Sequence, residues 1–130
     1  MKTIDIQVTI ATGGHTFYHP VPCRGTVKSI RLACNATMVA TGTLIVSRST
    51  TAVNTVTIPT GDTAAGVIVD GTPDTTIADR DLIFDPDSST AANQVIKFVT
   101  DSNFVNGAGM LAITLEFDDS ARVEQAASEA

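Results

Sequence analysis

The chain has 130 residues, which suits one domain with a core of its own. An apolar content of 43% and a mean hydropathy of +0.20 exclude wholesale disorder. A net charge of −6 and a pI near 4.5 leave no electrostatic footprint for nucleic acid or an anionic membrane.

The side chains point to an all-β domain. There are 20 Thr, 13 Val, 11 Ile, five Phe and one Tyr, the types that fit a pleated, half-buried surface. Along the chain, residues 3–10 alternate strictly, with Ile4, Ile6, Val8 and Ile10 on one face and Thr3, Asp5, Gln7 and Thr9 on the other. Gly13-Gly14 ends that strand, and 15–19 forms another if it finds a partner. Thr26 to Cys34 sets Ile30, Leu32 and Cys34 against Ser29, Arg31 and Ala33. Gly42 to Arg48 carries Leu44-Ile45-Val46, apolar on both faces as in a central strand. After Ser49-Thr50-Thr51-Ala52, the segment Asn54 to Pro59 alternates again, and the two segments read as a hairpin.

The second half repeats the style. Gly66 to Val69 reads as a short strand ended by Asp70-Gly71, with a breaker cluster at Thr72-Pro73-Asp74. Strands are also expected at Leu82 to Phe84, Val95 to Val99, and from Gly109 through Leu111, Ile113, Leu115 and Phe117. Eight strands, nine with 15–19, predict an antiparallel β-sandwich of the jelly-roll kind over 1–117. Its predicted core is Ile4, Ile6, Val8, Ile10, Ile30, Leu32, Val56, Ile58, Leu82, Phe84, Ile96, Phe98, Leu111, Ile113, Leu115 and Phe117. Residues 118–130 hold one aliphatic side chain larger than Ala and predict a flexible tail or arm.

Charge is divided along the sequence. Residues 1–61 hold five bases against Asp5, a balance of +4; residues 62–130 hold three bases against thirteen acids, a balance of −10. Either the halves interleave in one sandwich, or the molecule is polarised and its faces meet different neighbours. No signal peptide is legible, because Asp5 and Gln7 interrupt the apolar stretch one needs. The longest small-or-apolar run, 107–113, falls far short of the ~20 residues that span a bilayer. A cytosolic origin is the expectation, with Cys23 and Cys34 as reduced thiols; a disulfide between them is the alternative.

His15, His19 and Cys23 are spaced four apart, but Gly13, Gly14, Pro20 and Pro22 exclude the helix that would align them as ligands. On an extended segment His15 and His19 share the face of Phe17, and a fourth zinc ligand with tight local pairing is missing. Asp79, Asp81, Asp85 and Asp87 offer hard oxygens for Ca²⁺, yet aspartate is also what turns use to bond their own backbone, and the second reading is preferred. Cys34, in phase with Ile30 and Leu32, reads as a buried structural thiol. No nucleophile elbow, phosphate loop or dinucleotide fingerprint occurs, so the expectation is a protein that is not an enzyme and holds no metal or cofactor.

Three stretches taken together, 25–32 (GTVKSIRL), 42–59 (GTLIVSR through NTVTIP) and 77–85 (IADRDLIFD), followed by the glycine-opened strand 109–117, resemble small virion proteins of tailed bacteriophages. These are decoration (cement), head-fibre or minor structural proteins built on a jelly-roll sandwich. The resemblance covers roughly residues 3–118 and lies in strand order, Thr/Val richness and turn placement. It implies a homotrimer on the capsid exterior that clamps neighbouring copies of the major capsid protein, made in the host cytoplasm, with no nucleic-acid or membrane partner. The other reading is a receptor- or carbohydrate-binding β-sandwich of a tail fibre or baseplate, its loops carrying function.

Overall fold

Where side chains alternate, the backbone extends, because a period of two buries one face of a strand and wets the other. The computed structural model describes residues 2–10, 14–34, 42–58, 66–76, 78, 82–101 and 109–119, with the backbone alone at 8–10, 34, 58 and 109–111. Among the described residues nine strands run in the order β1 (Lys2–Ile10), β2 (His15–Pro20), β3 (Thr26–Cys34), β4 (Gly42–Arg48), β5 (Thr51–Ile58), β6 (Ile68–Asp70), β7 (Thr72–Pro73), β8 (Val95–Thr100) and β9 (Gly109–Asp118). A 3-10 turn, Ala91–Asn93, leads into β8.

The strands form two sheets, β1-β9-β3-β6 and β2-β8-β4-β5-β7, antiparallel throughout. The pairs β1:β9, β2:β8, β3:β6 and β4:β5 nest inside one another like the rungs of one long hairpin. Wrapping that hairpin brings β9 onto β3 and β8 onto β4. This is a jelly roll, with β7 added at an edge. The fold is the all-β antiparallel sandwich that the alternation predicts, and 15–19 finds its partner in β8.

The core fills the space between the sheets. Of the sixteen predicted core residues, Ile4, Ile6, Ile30, Leu32, Val56, Phe84, Ile96, Phe98, Ile113, Leu115 and Phe117 are buried. Leu82 is half-buried and packs against them; the side chains of Val8, Ile10, Ile58 and Leu111 lie outside the described residues. Leu44, Val46, Val53, Val27 and Val21 complete the cluster. Phe17 stacks on Phe98 with ring centroids 4.9 Å apart, and Phe84 meets Phe117 at 6.1 Å.

Four expectations need correction. Leu82 to Phe84 is not a strand: Phe84 makes one isolated bridge to Gly25, with hydrogen bonds of 2.8 and 2.9 Å, and Ile83 and Phe84 are both buried. Two successive buried side chains do not alternate, and the segment is anchored to Gly25, just before β3, rather than laid into a sheet. The short strand read at Gly66 to Val69 begins at Ile68 and includes Asp70. The breaker cluster contains β7, which tolerates Pro73 because it is an edge strand. The β4–β5 loop is tighter than the sequence suggested: Arg48 pairs with Thr51, and only Ser49-Thr50 turn. Ser49 takes φ +57°, the positive value that two-residue hairpins need at their first central position. Val53 is then an extra residue between Ser47↔Ala52 and Val46↔Asn54, a bulge that buries Val53 and Asn54 in succession.

Candidate interaction surfaces

β2 carries the first candidate ligands. Its side chains alternate so that His15, Phe17 and His19 are half-buried while Thr16, Tyr18 and Pro20 are exposed. The shared face of the two histidines with Phe17 is as expected for an extended segment. Four strand positions separate them by about 13 Å, too far to bind one metal ion. Thr100 Oγ1 accepts from the His15 backbone N–H at 2.9 Å, and His19 Nδ1 is buried with no hydrogen-bond partner among the described residues. Cys23 is half-buried against the core and carries a thiol. It precedes β3 and Cys34 ends it, so the two Cα atoms lie at opposite ends of a nine-residue strand. At about 3.3 Å per residue that is far beyond the ~7 Å limit for a disulfide, which removes the bridged alternative.

Asp79 and Asp81 lie outside the described residues. Asp85 is a turn residue: its Oδ1 accepts the Asp87 N–H at 2.9 Å, and its carbonyl accepts the Ser88 N–H at 3.1 Å. Ser88 Oγ accepts the Thr90 N–H at 3.1 Å, and Gln94 Nε2 donates to the Ser88 carbonyl at 2.7 Å. The segment is tied together by its own short side chains. Among the described residues, no three His, Cys, Asp or Glu side chains cluster as metal ligands.

The charge division is resolved by pairing. Arg24 meets Asp85 at 3.5 Å, Lys28 meets Asp118 at 3.9 Å, and Arg31 meets Asp70 at 2.7 Å. Each pair joins a base from 1–61 to an acid from 62–130, because the wrapped hairpin lays late strands beside early ones. The halves interleave.

The outer faces of the two sheets differ in kind. On β1-β9-β3-β6, one row reads Asp5, Thr114, Arg31, Asp70 across four strands. Thr114 Oγ1 donates to Asp5 Oδ1 at 3.1 Å and Arg31 Nε to Asp70 Oδ1 at 2.7 Å. That hydrogen bond and the Asp70 charge hold the Arg31 guanidinium above its ordinary pKa. The row borders a shallow depression of about 370 Å³ that also reaches Ser29 and Glu116. Polar groups there largely satisfy one another.

The outer face of β2-β8-β4-β5-β7 is hydroxyl-rich, with aliphatic side chains between. One row reads Thr16, Val99, Ile45, Thr55, Thr72, and beside it Tyr18, Lys97, Ser47, Ala52. Tyr18 is 59% exposed, and with Lys97 and Val95 it borders a hollow of about 170 Å³. The hairpin tip, Ser49-Thr50, and Ala92 close the hollow. The hollow is lined by an aromatic ring, an ammonium and two hydroxyl-bearing residues. Tyr18 and Lys97 carry no motif in the sequence, and the alternation of 15–20 is the one local signal that sets Tyr18 on the outer side. Comparison with protein-family models, curated proteins and solved structures finds no match to this chain.

Proposed function

We propose that this protein is a non-enzymatic structural component of a tailed-bacteriophage virion. In this reading it is a decoration (cement) protein, made in the host cytoplasm, that binds the major capsid protein on the exterior of the assembled capsid as a homotrimer. The observation that supports this best is the wrapped-hairpin strand order of two antiparallel sheets, an architecture used by viral coat and lectin domains. The hydroxyl-rich outer face of the β2-β8-β4-β5-β7 sheet, with Tyr18 exposed on it, supports a surface that works by being covered. Three weak contacts held around one axis multiply into tight attachment through effective concentration, so no single deep pocket is required.

One observation favours a second reading. The hollow beside Tyr18 and Lys97 suits a sugar or peptide ligand, as in a host-binding module of a tail fibre or baseplate.

The test measures co-sedimentation with empty capsids and with host envelopes, together with the heat resistance of capsids with and without the protein. Capsid binding with raised heat resistance supports the decoration reading. Binding to envelopes alone promotes the second, and a protein that binds neither overturns both.

A further inference from the structure

We propose that the hollow beside Tyr18 binds one ring of a carboxylate-bearing sugar, a hexuronic acid unit, with its carboxylate on the Lys97 ammonium and its ring against the Tyr18 side chain. The strand order builds this hollow from parts distant in the chain. Tyr18 on β2 and Lys97 on β8 are cross-strand partners, and Ser47 on β4 lies on the other side of Lys97. Side chains directly opposite in an antiparallel pair stand about 5 Å apart, within reach of one small ligand. Ser49-Thr50 at the tip of the β4–β5 hairpin and Ala92 of the 3-10 turn complete the lining with Val95.

The charge selects an anion. Of Lys, Arg, Asp and Glu, the strands β2, β4, β5, β7 and β8 hold Arg48 and Lys97 alone. Arg48 Nη1 donates to the Ile83 carbonyl at 2.6 Å. Lys97 makes no ion pair, hydrogen bond or ring contact among the described residues, in a chain of net charge −6. The residue is half-buried, and a carboxylate seated on its ammonium makes a charge-assisted bond that none of the described residues supplies.

The rest of the lining selects a sugar. Tyr18 is exposed, and the C–H groups on one face of a pyranose pack on an aromatic ring while the sugar hydroxyls stay free at the rim. The side-chain hydroxyls of Tyr18, Ser49 and Thr50 have no hydrogen-bond partner among the described residues, so each can donate to or accept from that rim. The depression on the other sheet differs in this respect, since Arg31 already bonds Asp70 there and Thr114 bonds Asp5. At about 170 Å³ the hollow falls below the ~300–1,000 Å³ that holds a drug-sized ligand, which limits its occupant to about one ring. An acidic peptide also carries a carboxylate, but extended peptides gain affinity by main-chain pairing along a sheet edge, and this lining is made of side chains on a sheet face. A sugar in the hollow deepens the host-binding reading, on which its biological setting rests; the chemistry of the lining does not depend on that reading.

The experiment titrates the full chain with sodium glucuronate at constant ionic strength. The chain has one tyrosine and no tryptophan, so tyrosine emission reports Tyr18 directly, and the amide NMR shifts of Ser49, Thr50, Val95 and Lys97 locate the ligand. The expected result is saturation with Kd of about 1–10 mM, as suits one ring and one charge. Glucose binds at least about fivefold more weakly, and acetate leaves the emission unchanged. Lys97→Gln lowers glucuronate affinity to that of glucose, and Tyr18→Ala abolishes the amide shifts, with unaltered amide signals elsewhere verifying the fold of each variant. No saturation with glucuronate, equal affinity for glucose, or shifts that map elsewhere overturns the proposal. Tighter binding of an acetylated aspartyl dipeptide than of glucuronate also overturns it and gives the hollow to a protein partner. Co-sedimentation with host envelopes keeps the two readings apart. A chain that binds envelopes but takes no glucuronate overturns the sugar site and leaves host binding standing. One that takes glucuronate but binds no envelope supports the site and overturns the host-binding reading.

Discussion

Ile113 and Gly71 are both closely packed, and substitution by alanine acts on them in opposite ways. Ile113 is buried between the sheets in register with Ile6 and Leu32, so Ile113→Ala leaves a cavity and should cost about 2–5 kcal/mol in urea unfolding. Gly71 links β6 to β7, crossing between the sheets with its N–H on the Ile30 carbonyl at 2.8 Å. A Cβ there overlaps Asn54 Oδ1 and Ile30 Cγ2. Gly71→Ala therefore overpacks the site and should cost about 1–3 kcal/mol by the same measurement. The first effect was legible in the alternation of 109–117. The second was not, since a glycine after an aspartate reads as a turn and nothing local names Asn54 as its neighbour. Val27 shows the same limit: a bulge at Lys28 carries it inward, out of phase with Ile30 and Leu32.

At the scale of the element, the β4–β5 hairpin offers the sharpest test. Ser49 occupies a positive φ that strains any Cβ and strains a β-branched side chain most. Ser49→Gly should leave the unfolding midpoint unchanged or raise it, whereas Ser49→Val should lower stability by about 1–2 kcal/mol. A Val variant as stable as the Gly variant would mean that the turn takes another conformation. By contrast, the Arg31–Asp70 pair lies on an open face, and Arg31→Ala should not measurably move the midpoint at physiological salt. Long alternating strands such as β1, β3 and β9 could be read directly from residue spacing. The hairpin loop was harder because it lacks Asn-Gly, and β7 was hidden because Pro73 ordinarily argues against a strand. Leu82 to Phe84 imitated a strand in composition, but its place is fixed by Gly25 from another part of the chain. The surface around Tyr18 depends on pairing between strands distant in sequence, which spacing alone does not give.

For the molecule as a whole, nesting makes most pairings long-range: Lys2 lies opposite Phe117, and His15 opposite Thr100. Loop closure must precede the contacts that reward it, so refolding is expected in the millisecond-to-second range by stopped-flow fluorescence or circular dichroism. Folding in microseconds would contradict this topology. The same geometry brings Arg24, Lys28 and Arg31 of the basic first half to Asp85, Asp118 and Asp70 of the acidic second half. The position of β9 has a consequence for synthesis. It is the last of the described strands in chain order, yet it lies between β1 and β3, pairing with both. A chain still held on the ribosome must carry the apolar faces of its early strands unpaired until residue 118 has emerged. Truncation before residue 109 should therefore yield insoluble, protease-sensitive material rather than a smaller folded domain, and a translational pause just upstream would lengthen dependence on chaperones.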